Sequence, residues 1–167
     1  MEEITNLNKF QRSWTLWFDT NWLDLKNRGI FDNIQSFWQI FNNLKPIAQM
    51  ENKSSIRIFE TGIHPSREDI QNINGGRWIL QYYSKCDIDE TFKEIMMDVC
   101  GETLMKYEIA GVELNVQEKG HRIAFWTKNC NPLFGDYLNK TYVDGVFSIV
   151  FKKHEEILKH TATFKKK

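Results

Sequence analysis

Apolar residues recur along this chain with two periods, separated by polar stretches that keep neither. Trp14-Thr15-Leu16-Trp17-Phe18 is aromatic and β-forming and predicts a strand. Residues 19–29 are polar and predict a loop, with Trp22 inside it. Asp32 or Asn33 is placed to cap a helix to about Leu44, where Ile34, Phe37, Trp38, Phe41 and Leu44 recur at helical spacing before Pro46. Ile56 to Phe59 predicts a short strand, and Arg77 to Tyr83 another, entered through Gly75-Gly76. A second helix, capped by Asp87 or Asp89, runs through Val99 and stops at Gly101. In the clearest hairpin, Val112, Leu114 and Val116 alternate with Glu113, Asn115 and Gln117, Lys119-Gly120-His121 turns, and Arg122 to Thr127 returns. A short helix near Pro132 to Asn139 and a strand from Val146 to Phe151 complete the pattern.

Strands and helices in mixed order, with a hairpin and no regular βαβ alternation, indicate an α+β fold. The apolar face of an antiparallel sheet packs on helices, and the opposite face stays open to solvent and ligand. The two-residue period sets Ile123 and Phe125 against the helices and Arg122 and Trp126 on the open face with Gln117. Trp126 there is either a partly covered platform between strands or a side wall for an aromatic ligand. Arg122 and Lys119 are either ordinary surface cations or donors to a phosphate.

Composition narrows the function. The 167 residues suit one domain, and no repeat or linker divides them. Segments 1–9 and 154–167 are expected as a flexible leader and a basic tail around a single domain, 10–153. Formal net charge is zero, which excludes a general nucleic-acid binder with a basic surplus, so any anion-gripping patch must be local. Three widely spaced cysteines without zinc spacing fit a reduced compartment. With no signal peptide and no apolar run near the ~20 residues of a membrane span, a cytoplasmic protein free of membrane is expected. No nucleophile, metalloprotease or phosphate-loop motif is present, so catalysis, a cofactor and a metal are not expected.

The most informative stretch is Gly62-Ile63-His64-Pro65-Ser66-Arg67-Glu68-Asp69, followed by Gly75-Gly76-Arg77-Trp78. A flat aromatic beside a carboxylate suits a flat, positively charged base. These residues, with Gln11 to Phe18, Phe31 to Trp38, Asp98-Val99-Cys100-Gly101-Glu102 and Ile123 to Thr127, resemble in order and spacing the translation initiation factor 4E family, which binds the 7-methylguanosine cap of messenger RNA. The likeness runs from Phe10 to Phe151. It implies a curved antiparallel β-sheet with about three helices packed on its convex face and a cap slot on the concave side. Two tryptophans sandwich the methylated guanine in such proteins, a glutamate reads its edge, basic residues hold the phosphates and a further tryptophan touches the methyl.

By position, the resemblance makes Trp22 the first sandwich tryptophan, in a loop shorter than the family's. It makes Glu68 the edge reader and Trp126 the methyl contact, and assigns phosphates to Arg77, Lys119 and Arg122. Arg67 stands where the second sandwich tryptophan belongs, and Gln117 where a phosphate-binding arginine belongs. An indole face attracts the cationic base by up to ~2 kcal/mol; a guanidinium repels it. A lost arginine–phosphate pair removes roughly 1.5–3 kcal/mol. Affinity weaker by about two or more decades is therefore expected, unless another group substitutes. His64 is either a substitute wall or an exposed loop residue, and Arg67 is a candidate to reach a phosphate instead.

The family's second surface docks a helical peptide from an initiation scaffold or a repressor. The resemblance places it at Phe10, Ile34, Trp38, Glu94, Met97 and Gly101. An apolar pair such as Ile34 and Trp38 is otherwise core, while Glu94 and Met97 share a helix face. The leading expectation is a monomeric, divergent cap-binding initiation factor. The alternative is a same-fold interaction module that docks the scaffold peptide and has lost strong cap binding.

Overall fold

The computed structural model describes residues 8–21 and 24–164, with side chains as far as 159. Among them are seven strands: β1 (Lys9–Asp19), β2 (Lys26–Asn33), β3 (Ser55–Glu60), β4 (Gly76–Tyr82), β5 (Ile109–Asn115), β6 (Arg122–Thr127) and β7 (Val146–Lys153). They form one curved, open sheet in the order β2-β1-β3-β5-β6-β4-β7, with every neighbouring pair antiparallel. The α-helices are α1 (Ile34–Asn43), α2 (Asp89–Cys100), α3 (Pro132–Leu138) and α4 (His154–Phe164).

The period of two assigns the faces. Ile56, Ile58, Leu80, Val112, Leu114, Ile123 and Phe125 meet Phe37 of α1, Phe92, Ile95, Met96 and Val99 of α2, and Phe134 and Leu138 of α3 in the main core. Fully burying such a side chain stabilises the fold by roughly 1.5–3 kcal/mol, so this face holds the domain together. The alternate residues Phe59, Ile79, Ala110, Ala124 and Trp126 form a smaller buried patch with Ile63 on the opposite face.

Asn33 caps α1: its backbone is extended and its side chain accepts the Ser36 N–H at 2.9 Å. Helix α2 has no side-chain cap from Ile88, although the Asp87 carboxylate accepts the Asp89 N–H at 3.2 Å. At its other end Gly101 keeps a negative φ of −78° and Glu102 takes the left-handed turn. Gly101 is still constrained, because a Cβ there would stand 2.6 Å from the Met97 carbonyl oxygen.

Two expectations are corrected. The expected loop 19–29 is strand at both ends: Asp19 closes β1, and β2 begins at Lys26 and pairs Phe31 with Trp14, Ile30 with Thr15 and Gly29 with Leu16. Its strand state comes from pairing with β1, since Phe31 alone among its residues is buried and its own pattern is polar. The second is the expected tail. His154 is fully buried and starts α4, with Glu155 and Glu156 at the positive end of the helix dipole. Charge alone suggested a tail and concealed that anchor.

Candidate functional site

On the open face a hollow of about 380 Å³ lies between the loop after β3 and strands β3 to β6. Arg57, Pro65, Ser66, Arg67, Glu68, Arg77, Glu113, Asn115, Gln117, Arg122 and Trp126 line it. Four arginines against two glutamates leave it positive in a chain with no net charge.

Its floor is a buried charge network set by strand register. Arg57 of β3 sits directly across from Glu113 of β5, and Arg77 of β4 across from Trp126 of β6. Glu113, 3% exposed, accepts from the Trp126 Nε1–H at 3.0 Å and from Arg77 Nη1 at 3.4 Å through Oε2. Its Oε1 lies 3.2 Å from Arg57 Nε, a charge contact rather than an aligned hydrogen bond. Arg57 also reaches the buried Asp19 carboxylate at 3.6 Å and donates to the Pro65 carbonyl at 3.2 Å, tying the loop to the sheet. Burial lowers the Arg77 pKa from its ordinary value; Glu113 opposes that, and the Arg67 and Arg57 charges add to it.

The loop itself is firmly framed. The Asp69 carboxylate accepts the His64 and Gln71 N–H groups, each at 2.9 Å. The buried Asn72 amide donates to the His64 and Ser66 carbonyls at 3.0 and 2.9 Å. His154 Nδ1 meets the Asn72 carbonyl at 2.8 Å, so α4 braces the loop from behind. This frame presents Arg67 and Glu68 at the rim, with Glu68 exposed.

The predicted site residues divide as follows. Arg67, Glu68, Arg77, Arg122 and Trp126 converge on the hollow, as does Gln117. Lys119 is exposed on the β5–β6 turn, outside the lining. Trp22 lies outside the described residues. His64 is not in the lining either; it packs edge-on against Trp17, ring centroids 5.2 Å apart. Trp126 is only 3% exposed, with the Arg77 guanidinium 5.2 Å from its ring centroid and the His154 ring 4.6 Å away, so the platform reading fits better than the open wall. Sequence reasoning passed over Arg57, Asn72 and His154, and used Glu113 only to mark the polar face. The available signal was a charge set between Ile56 and Ile58, at the middle of the apolar run Ile56 to Phe59.

A second, apolar hollow of about 220 Å³ opens on the helix-covered side. Phe10, Ile34, Phe37, Trp38, Met97, Cys100 and Gly101 line it, with Ile34 44% and Met97 39% exposed. Five of the six residues expected at the peptide-docking surface meet here. Glu94, the sixth, lines an adjoining groove with Asp98 and Tyr142 that shares Met97.

Comparison with known proteins places this architecture. The family model described as eukaryotic initiation factor 4E matches residues 9–167. The chain belongs to that family. It is 31% identical over 144 residues to the eukaryotic translation initiation factor 4E of Candida albicans, covering 78% of this chain and 69% of that one. It is 37% identical over 131 residues to initiation factor 4E-2 of Schizosaccharomyces pombe, covering 72% of this chain and 54% of that one. The match thus spans between about half and two thirds of these relatives' own length. The structure of Caenorhabditis elegans eIF4E-3 with the 4E-binding protein Mextli superposes with TM-score 0.80 at 25% identity, covering 89% of this chain and 94% of that one. The complex of that protein with Mextli and a cap analog gives 0.78 at the same identity and coverage. No helix among the described residues is long and apolar enough to cross a membrane.

Proposed function

We propose that the chain binds the 7-methylguanosine 5′ cap of messenger RNA in the open-face hollow and recruits it for translation initiation, with altered cap affinity. It acts by binding, not by catalysis. The observation that carries this is convergence: Arg67, Glu68, Arg77, Arg122 and Trp126 come from one loop and two strands to a single positive hollow in a member of the 4E family. An exposed carboxylate beside arginines suits a base whose N–H edge needs an acceptor and whose phosphates need cations. The complex of Caenorhabditis elegans eIF4E-3 with a cap analog supports the ligand class. The complexes with Mextli support a helical peptide of a scaffold or repressor at the apolar hollow, where such a helix lays its own apolar face.

Retention on immobilised cap tests the proposal. The chain is expected to stay on the resin and to elute with free 7-methylguanosine triphosphate, and Glu68→Ala is expected to pass through. Passage of the unaltered chain, combined with capture by a scaffold peptide, would favour the interaction-module alternative.

A further inference from the structure

The hollow holds more positive charge than its own carboxylates neutralise. Glu113 is committed to Arg57, Arg77 and the Trp126 indole. Arg67 and Arg122 have no carboxylate at ion-pair distance among the described residues, and the Arg67 Nε is buried without a hydrogen-bond acceptor. Burial first lowers the pKa of Arg77, Glu113 opposes this, and the Arg67 and Arg57 charges add to it, so these cations already crowd one another. A buried donor with no acceptor is costly, and an incoming anion relieves that cost.

Among the described residues the base side of the hollow is poor in comparison. Its described aromatic, Trp126, gives little face to a ligand, being covered by Arg77 and His154. Arg67 brings a cation to the loop position beside Glu68. A guanine methylated at N7 is itself a cation, so methylation gains attraction from Glu68 and repulsion from Arg67 in the same place. A phosphate chain meets a net positive lining: Arg67, Arg77 and Arg122 attract it, against repulsion from Glu68 and from a Glu113 already engaged by Arg57 and Arg77.

We propose that this hollow selects its nucleotide by the phosphate chain rather than by the methyl group on the base, accepting an unmethylated guanosine 5′-triphosphate end as well as a methylated one, with Arg67 as the residue that sets this preference. This deepens the cap-site reading and rests on it. Asp69 and Asn72 frame the loop independently of the Arg67 side chain, so substitution at 67 is expected to leave the fold intact, as a matching thermal melt would show.

Calorimetric titration of the whole chain with 7-methylguanosine triphosphate, guanosine triphosphate and 7-methylguanosine monophosphate tests it. The two triphosphates are expected to bind within about tenfold of one another, and the monophosphate at least about 100-fold more weakly, each lost arginine–phosphate contact accounting for roughly tenfold or more. Arg67→Trp is expected to widen the gap between methylated and unmethylated triphosphate by at least about tenfold, through restored stacking on the cationic base. Guanosine triphosphate binding more than about tenfold more weakly than its methylated form, or a methylated monophosphate binding as tightly as its triphosphate, overturns the inference and leaves the cap site standing. An unchanged triphosphate ratio in Arg67→Trp overturns the role given to Arg67. No binding of any of the three overturns the cap-site reading along with the inference.

Discussion

Glu113 accepts from Arg77 and the Trp126 indole and stands in charge contact with Arg57, so its loss leaves the Arg77 and Trp126 donors buried without an acceptor and strips Arg57 of its nearest carboxylate. Removing one member of a buried ionic cluster costs far more than the cluster contributes over an apolar replacement. Glu113→Ala is therefore expected to destabilise the fold by about 3 kcal/mol, the low end of the range for buried pairs, because Arg57 and Arg77 keep 17% and 15% exposure. Urea unfolding measures this, with Glu113→Gln retaining part of the loss through its amide oxygen. A midpoint for Glu113→Ala equal to that of the unaltered chain would mean the network carries no structural weight. At this scale the sequence was informative in a particular way. Alternation in β5 and β6 put Glu113, Gln117, Arg122 and Trp126 on one face, and the structure agrees. It gave no register, and register is what opposes Arg57 to Glu113 and converts a row of polar positions into a network.

At the scale of elements, α1 was legible because a capping asparagine and a helical apolar repeat agree with each other. Strand β2 was not, because its only buried residue is Phe31 and its pairing with β1 is a long-range fact. The start of α4 was hidden for the same reason: His154 is anchored by Asn72 and Trp126, both distant in sequence. That anchor makes stability depend on pH. Burial, above all, holds the His154 pKa below its ordinary value, opposed by its bond to the Asn72 carbonyl. The unfolded chain therefore binds the proton more readily than the native state. The stabilisation is complete above the unfolded value of about 6.5 and is lost as pH falls toward the folded value. Urea midpoints are expected to fall from pH 7 to pH 5, and to fall less in His154→Asn. His121, also lowered by burial, keeps a residual slope. Equal slopes in both proteins would assign the acid sensitivity elsewhere. On the opposite side, α1 and α2 hold Trp38 and Met97 at the rim of the apolar hollow. Trp38→Ala is expected to weaken an amphipathic scaffold peptide by more than about tenfold, in line with a buried aromatic anchor, and to leave nucleotide affinity unchanged. Calorimetry with each ligand separates the two surfaces, and a joint loss would show that they are not independent.

At the scale of the whole molecule, charge is balanced in sum and uneven in place. Zero net charge demanded that any anion site be local, and the open-face hollow gathers four arginines for two glutamates. The main core lies wholly on the other side of the sheet, so residues that fold the domain and residues that line the hollow are drawn from alternate positions of the same strands. That division lets residues lining the hollow, such as Arg67 and Gln117, change without disturbing the core that holds the family's architecture. The direct test is a nitrogen-15 spectrum of arginine Nε and tryptophan Nε1 groups during titration with 7-methylguanosine triphosphate. Resonances of Arg67, Arg77, Arg122 and Trp126 are expected to move together and to saturate at one equivalent, while Trp38 stays still. Movement confined to Trp38 and its neighbours, or no movement at saturating nucleotide, would contradict the placement of the nucleotide in this hollow.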